Sequence, residues 1–201
     1  MHDYTTLSLS NKYHLFSNFL KFDQPFTQDL LITVFKLIEK HYPGAQITRS
    51  DLGEVPLPAT CAAFIAQART LVPVSDTASC LVEVDIPLWV KPDAHTAARH
   101  RLFPGLHFYY GLEKSIQRNS IRVEFHGNVY TNHRTDYNRH TRMYDAVVDQ
   151  SFAAQQNRQT MTNFLTDLVN LLGADVCEYE TPYIKEEYLH PLGIKENAQL
   201  L

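Results

Sequence analysis

Three sets of residues have types and spacings that chemistry could use. In the first, Glu83 and Asp85, His107 and Tyr109, and Arg122, Glu124 and His126 take every second position within otherwise apolar runs. A period of two puts such residues on one side of an extended strand. If the three runs are neighbours in one sheet, the set shares a face. Carboxylates and imidazoles held together can exchange protons or ligate a metal, because their surroundings drive their pKa values apart. The same groups equally suit recognition of another macromolecule, where charge gives specificity and aromatic rings give anchorage. The plainest reading is a solvated sheet face with cross-strand charge pairs.

The second set is His133, Asp136 and His140, whose offsets of three and four would align them along a helix. Imidazole and carboxylate are ligands for zinc or another divalent ion. Thr135 or Asp136 is also a natural N-cap, which would put His133 ahead of the helix. No established metal-ligand spacing is present, and no metal is assigned.

The third is a basic stretch, in which Arg99, His100, Arg101, Arg118, Arg122, Arg134, Arg139 and Arg142 could meet phosphates and Tyr137 or Tyr144 could stack on bases. The sequence pI near 6.2 argues against it. A nucleic-acid binder normally has a more pronounced basic footprint, so no nucleic-acid partner is expected. The sequence contains no Walker loop, no GxGxxG, no GxSxG elbow, no HExxH pair and no EF-hand loop. No cofactor is expected.

The elements that must position these groups follow from periodicity and breakers. Residues 4–10 alternate as a strand would. From Pro25 to Tyr42, Leu30, Leu31, Val34, Leu37, Ile38 and His41 recur at helical spacing, and Pro43-Gly44 ends the run. A short strand is expected at 45–50, then a helix after Pro56 and Pro58 reaching about Val72. Residues 80–90, 105–112 and 120–131 alternate in succession, which predicts an antiparallel meander with one face on the core. Gly127-Asn128 suits a bulge or turn near its end. Lys91 to Pro104 is read as a loop or a helical turn. Beyond Thr135 the pattern is helical through Met143, Val147 and Val148, and again from Met161 to Leu172, with Gly173 as the C-cap. Between these stripes lies the polar run Gln155–Gln159, crossed either by one long helix or by two that meet. Val176 to Thr181 is a last strand.

The fold expected is α+β: a mostly antiparallel sheet with a central meander and helices on one face. Residues 1–181 form one domain, and 182–201 form an acidic C-terminal tail. At 201 residues and 44% hydrophobic content, the chain can bury a sizeable core without a disulfide or metal staple. The three cysteines, Cys61, Cys80 and Cys177, are too few and too scattered for a disulfide framework, and each sits in or beside an apolar run. With no signal-peptide pattern and no apolar stretch near the ~20 residues a membrane helix needs, a cytoplasmic, membrane-free protein is expected.

The net charge of −4 is unevenly spread: −3 over 1–90, +5 over 91–142 and −6 over 143–201. An acidic last third can steer and hold a basic partner. The functional expectation is a non-enzymatic protein-binding module, in concrete form a bacterial immunity-type or inhibitor protein that neutralises a basic toxin or nuclease. Its contact residues would be Glu83, Asp85, His107, Tyr109, Arg122, Glu124 and His126 on the sheet face, with Glu178, Glu180, Glu186 and Glu187. The alternatives are a metal-dependent hydrolase or nuclease using the Glu, Asp and His side chains of that face, and a structural subunit of a larger assembly.

Overall fold

A computed structural model describes residues 15–52, 55–72, 79–90, 99–113, 117–126, 135–138, 140, 143–146, 152–174 and 176–180. The meander forms as its alternation requires: β4 (Cys80–Val90), β5 (Arg99–Glu113) and β6 (Arg118–His126) lie side by side and antiparallel. Val82, Val84, Ile86 and Leu88 of β4, Leu106, Phe108 and Tyr110 of β5, and Ile121, Val123 and Phe125 of β6 are all buried. Their common face is the floor of the core.

Around the meander, β1 (Leu15–Phe22) pairs with β6, and β9 (Val176–Glu180) pairs with β1 at one edge. On the other side β2 (Gln46–Ser50) pairs with β4, and the two-residue β3 (Ala59–Thr60) closes that edge. The seven strands run in the order β3-β2-β4-β5-β6-β1-β9, every pair antiparallel. A separate hairpin joins β7 (Thr135–Asn138) to β8 (Met143–Ala146).

Three helices are described: α1 (Gln28–His41), α2 (Cys61–Gln67) and α3 (Phe152–Leu172). They pack on the apolar face. Leu30, Leu31, Val34, Phe35 and Ile38 of α1 enter the core with Phe64 of α2 and Phe164, Leu165 and Leu168 of α3. Thr27 caps α1 by accepting the Leu30 N–H at 3.1 Å, so the helix starts after Pro25 rather than at it. At its far end Gly44 takes φ of +84°, a turn that an L side chain would resist. Helix α3 ends in a Schellman motif: Ala174 N–H reaches Val169 O at 3.1 Å and Gly173 N–H reaches Asn170 O at 3.3 Å, with Gly173 at φ +59°.

Several expectations need correction. The second helix stops at Gln67 rather than near Val72, because Ala68 is extended and the Leu71 N–H donates to Gln28 Oε1 at 2.8 Å. The loop expected up to Pro104 is strand from Arg99, so β5 is longer than its alternation suggests. The helix expected beyond Thr135 is the β7–β8 hairpin, in which Asp136 lies opposite Asp145 and Tyr137 opposite Tyr144. With that helix gone, the proposed alignment of Asp136 with His140 goes too. Of the two arrangements expected for the polar run Gln155–Gln159, one continuous helix is the one present. The expected strand at 4–10, the turn at Gly127-Asn128, residues Val147 and Val148, His133 and the tail 182–201 lie outside the described residues.

Candidate functional site: the polar face of the sheet

Opposite the core, the strand registers set polar residues in rungs. One rung crosses Arg49, Glu83, His107, Glu124, Ser17 and Glu180, each the pairing partner of the next. The adjacent rung crosses Leu81, Tyr109, Arg122, Phe19 and Glu178. The expectation that the three alternating runs share a face is met for Glu83, His107, Tyr109, Arg122 and Glu124. Asp85 sits past a register shift in β4, beside Gln46. His126 ends β6 opposite Leu15. Glu178 and Glu180 take register positions on edge strand β9, and Glu186 and Glu187 lie outside the described residues.

Glu124 is the centre of the arrangement. It belongs to the polar face, yet it is only 3% exposed. A carboxylate so placed needs partners, because an unpaired buried charge is costly. Ser17 Oγ donates to Oε1 at 3.2 Å, His107 Nδ1 lies 3.5 Å from Oε2, and Arg122 Nη2 forms an ion pair with Oε1. Burial by itself would raise the Glu124 pKa. The His107 hydrogen bond, the Arg122 charge and the Ser17 hydroxyl outweigh it, and the carboxyl is held below its ordinary range.

Arg122 is in turn held in place. Its guanidinium lies over the rings of Phe19, at 4.9 Å, and Tyr109, at 5.5 Å, on the two neighbouring strands. Nη2 also donates to Ser17 Oγ at 3.3 Å, while Nε is buried and meets no acceptor. The side chain is nevertheless 42% exposed. The result is a cation fixed by one buried carboxylate and two rings, with part of its surface turned to solvent.

Away from this centre the groups are more ordinary. Glu83 Oε1 pairs with Arg49 Nη1 at 3.2 Å on the exposed side of β2. Burial raises the Asp85 pKa, Glu83 adds to the rise, and a Thr48 hydrogen bond opposes it. Burial likewise pushes the Tyr109 hydroxyl up, helped by the Glu124 charge. The Cys61 thiol, buried and near Glu39, is pushed up to about 12. Such a thiol is a packing group, since the thiolate is the reactive form.

Beside Arg122 the face dips into an open depression of about 380 Å³. Phe19, Lys21, Tyr109, Ser120, Arg122 and Ser79 form its walls and Gly111 lies between them. Sequence reasoning missed the contribution of β1. Its residues Ser17, Phe19 and Lys21 carry a weak signal, because Phe19 puts a large apolar group on the polar side while Asn18 stands on the core side.

No group of three or more His, Cys, Asp or Glu side chains capable of holding a metal ion occurs among the described residues. Glu124 and His107 already hold each other. Among the described residues no helix is long and apolar enough to cross a membrane. Searches against protein families, curated proteins and solved structures give no match to this chain.

Proposed function

We propose that this chain is a non-enzymatic protein-binding module that meets its partner with the polar face of its sheet. The observation that carries this reading is Arg122, fixed by Glu124 and stacked against Phe19 and Tyr109, yet partly exposed. Arginine and tyrosine are the residue types most often responsible for interface affinity, and a side chain ordered in advance loses less entropy on binding. Ser17 Oγ donates to Glu124 and not to His107, so the two are not set as a nucleophile and base pair.

The finer form of the proposal is an inhibitor or immunity-type protein acting in the cytoplasm on a toxin or nuclease. The acidic last third of the chain supports a basic partner in that role, and the buried, unreactive Cys61 suits a reducing compartment.

Affinity capture with paired baits tests the reading. The wild-type chain and a Tyr109→Glu variant of equal stability are compared in lysate of the source cell. A partner retained by the wild type and lost by the variant is expected. Equal retention by both baits would move the interface elsewhere, and no specific partner on either would remove the binding-module reading.

A further inference from the structure

We infer that the depression beside Arg122 is a receptor for a carboxylate side chain on an extended acidic segment of the partner protein. The inference rests on the reading of this face as a protein-binding surface, and it names the chemistry of what binds there. It differs from the basic partner that overall charge suggests, because the local lining has the opposite character.

Both charged residues among the described lining of the depression, Lys21 and Arg122, are cationic, and no carboxylate is among the described lining residues. Glu124, the acid that Arg122 pairs with, is buried and already held by Arg122, Ser17 and His107. Every hydrogen bond that Arg122 makes to a described residue leaves from Nη2, and Nε is buried, so Nη1 is the nitrogen left to meet a ligand. Ser79 adds a hydroxyl, and the Phe19 and Tyr109 rings add apolar walls for the methylene stem of a glutamate. Gly111 between them presents no side chain, which lets another backbone approach closely. A guanidinium N–H gives a carboxylate oxygen a charge-assisted hydrogen bond, and a lysine nearby adds charge without geometry.

One acidic position lies close by: Glu178, on edge strand β9, is the register partner of Phe19. An incoming carboxylate would share the neighbourhood with it. Removing that charge should strengthen binding rather than weaken it.

The test is fluorescence anisotropy with a labelled hexaglutamate peptide at low ionic strength, using labelled hexalysine as the opposite-charge probe. The full chain should bind hexaglutamate, and the affinity should fall about tenfold or more in Arg122→Gln, which keeps a donor for Glu124. Ser120→Asp places a negative charge in the depression without touching Glu124, and it should abolish binding while thermal unfolding stays unchanged. Glu178→Gln should tighten binding several-fold. Preference for hexalysine, or hexaglutamate binding that none of the three substitutions changes, would overturn the inference. If hexaglutamate fails to bind while the paired-bait capture still yields a Tyr109-dependent partner, the inference falls and the binding-module reading stands. If the capture fails as well, both fall.

Discussion

Glu124 and Phe125 are adjacent in β6, and both are almost completely buried, at 3% and 0% exposure. They face opposite sides of the sheet and are stabilised by different physics. Phe125 meets Phe164 of α3 at a ring-centroid distance of 6.3 Å within a continuous apolar core. Its contribution depends on apolar area removed from water and on packing density. Glu124 depends on three partners from three strands: a hydroxyl, an imidazole and a guanidinium. One face is insensitive to solution conditions, and the other is conditional on them. That conditional side is also where the chain keeps its exposed arginine and rings.

The largest effect that would sharpen this contrast comes from the core side. Phe125→Ala should cost about 3–5 kcal/mol, as large-to-small core substitutions do. Chemical denaturation would measure it, and the cost should be the same at pH 5 and pH 8. On the polar side, Arg122→Ala should cost about 2–3 kcal/mol, because Glu124 loses its ion pair while remaining buried. The double substitution Arg122→Leu, Glu124→Leu should recover most of that loss. If the double variant is no more stable than the single, the pair is not the unit that holds this face.

Acid should also divide the two faces. The folded-state pKa of Glu124 lies below its unfolded value, so its stabilisation is present above the ordinary glutamate range and fades as pH falls through the folded pKa. Stability of the wild type should therefore drop on acidification, and Glu124→Gln should flatten part of that fall. Asp85 has the opposite sign: its raised pKa means that it opposes folding once ionised. Asp85→Asn should give a small gain at neutral pH, seen as a higher unfolding midpoint.

The smallest effect is expected where a similar cluster lies at the surface. Asp167 Oδ2 of α3 accepts from Lys40 Nζ at 2.7 Å and contacts His41 Nε2 at 2.9 Å, joining α1 to α3. The partners resemble those of Glu124, but water reaches the site, and exposed pairs contribute little. Asp167→Asn should change stability only slightly, and the change should shrink as salt is added. An effect as large as that of Arg122→Ala would mean that burial is not what separates the two clusters.

Much of this arrangement is legible in the sequence where the periodicity is unmixed. The alternation in β4, β5 and β6 places Glu83, His107, Tyr109, Arg122 and Glu124 on one face and Val82, Phe108 and Phe125 on the other. Helix α1 is marked by its stripe and its glycine stop. Strand β1 is harder to read, because Asn18 and Phe19 invert the expected pattern, and with it went Ser17, the hydroxyl that bonds Glu124. The β7–β8 segment reads as a helix because apolar residues recur at loose helical spacing, yet it pairs as a hairpin. Periodicity reports which side of an element is buried and fails where burial is slight or two-sided. Nor does the sequence reveal that Glu124 is buried and Glu83 is not, since that depends on which strands flank each of them.

Asn157 illustrates one last consequence of how the sheet is finished. It lies in the polar run of α3, is only 3% exposed, and its side chain accepts from Trp89 N–H and donates to Trp89 O, both at 2.9 Å. Strand β4 runs on past the last residue of β2 that pairs with it, so among the described residues no strand lies beside the groups that Trp89 turns outward. An unpaired stretch of that kind is a template on which a second chain can add a strand. A single amide from the helix occupies the template and ends the sheet there. Asn157 thus leaves the outward N–H and C=O of Trp89 already paired when a second chain approaches that edge.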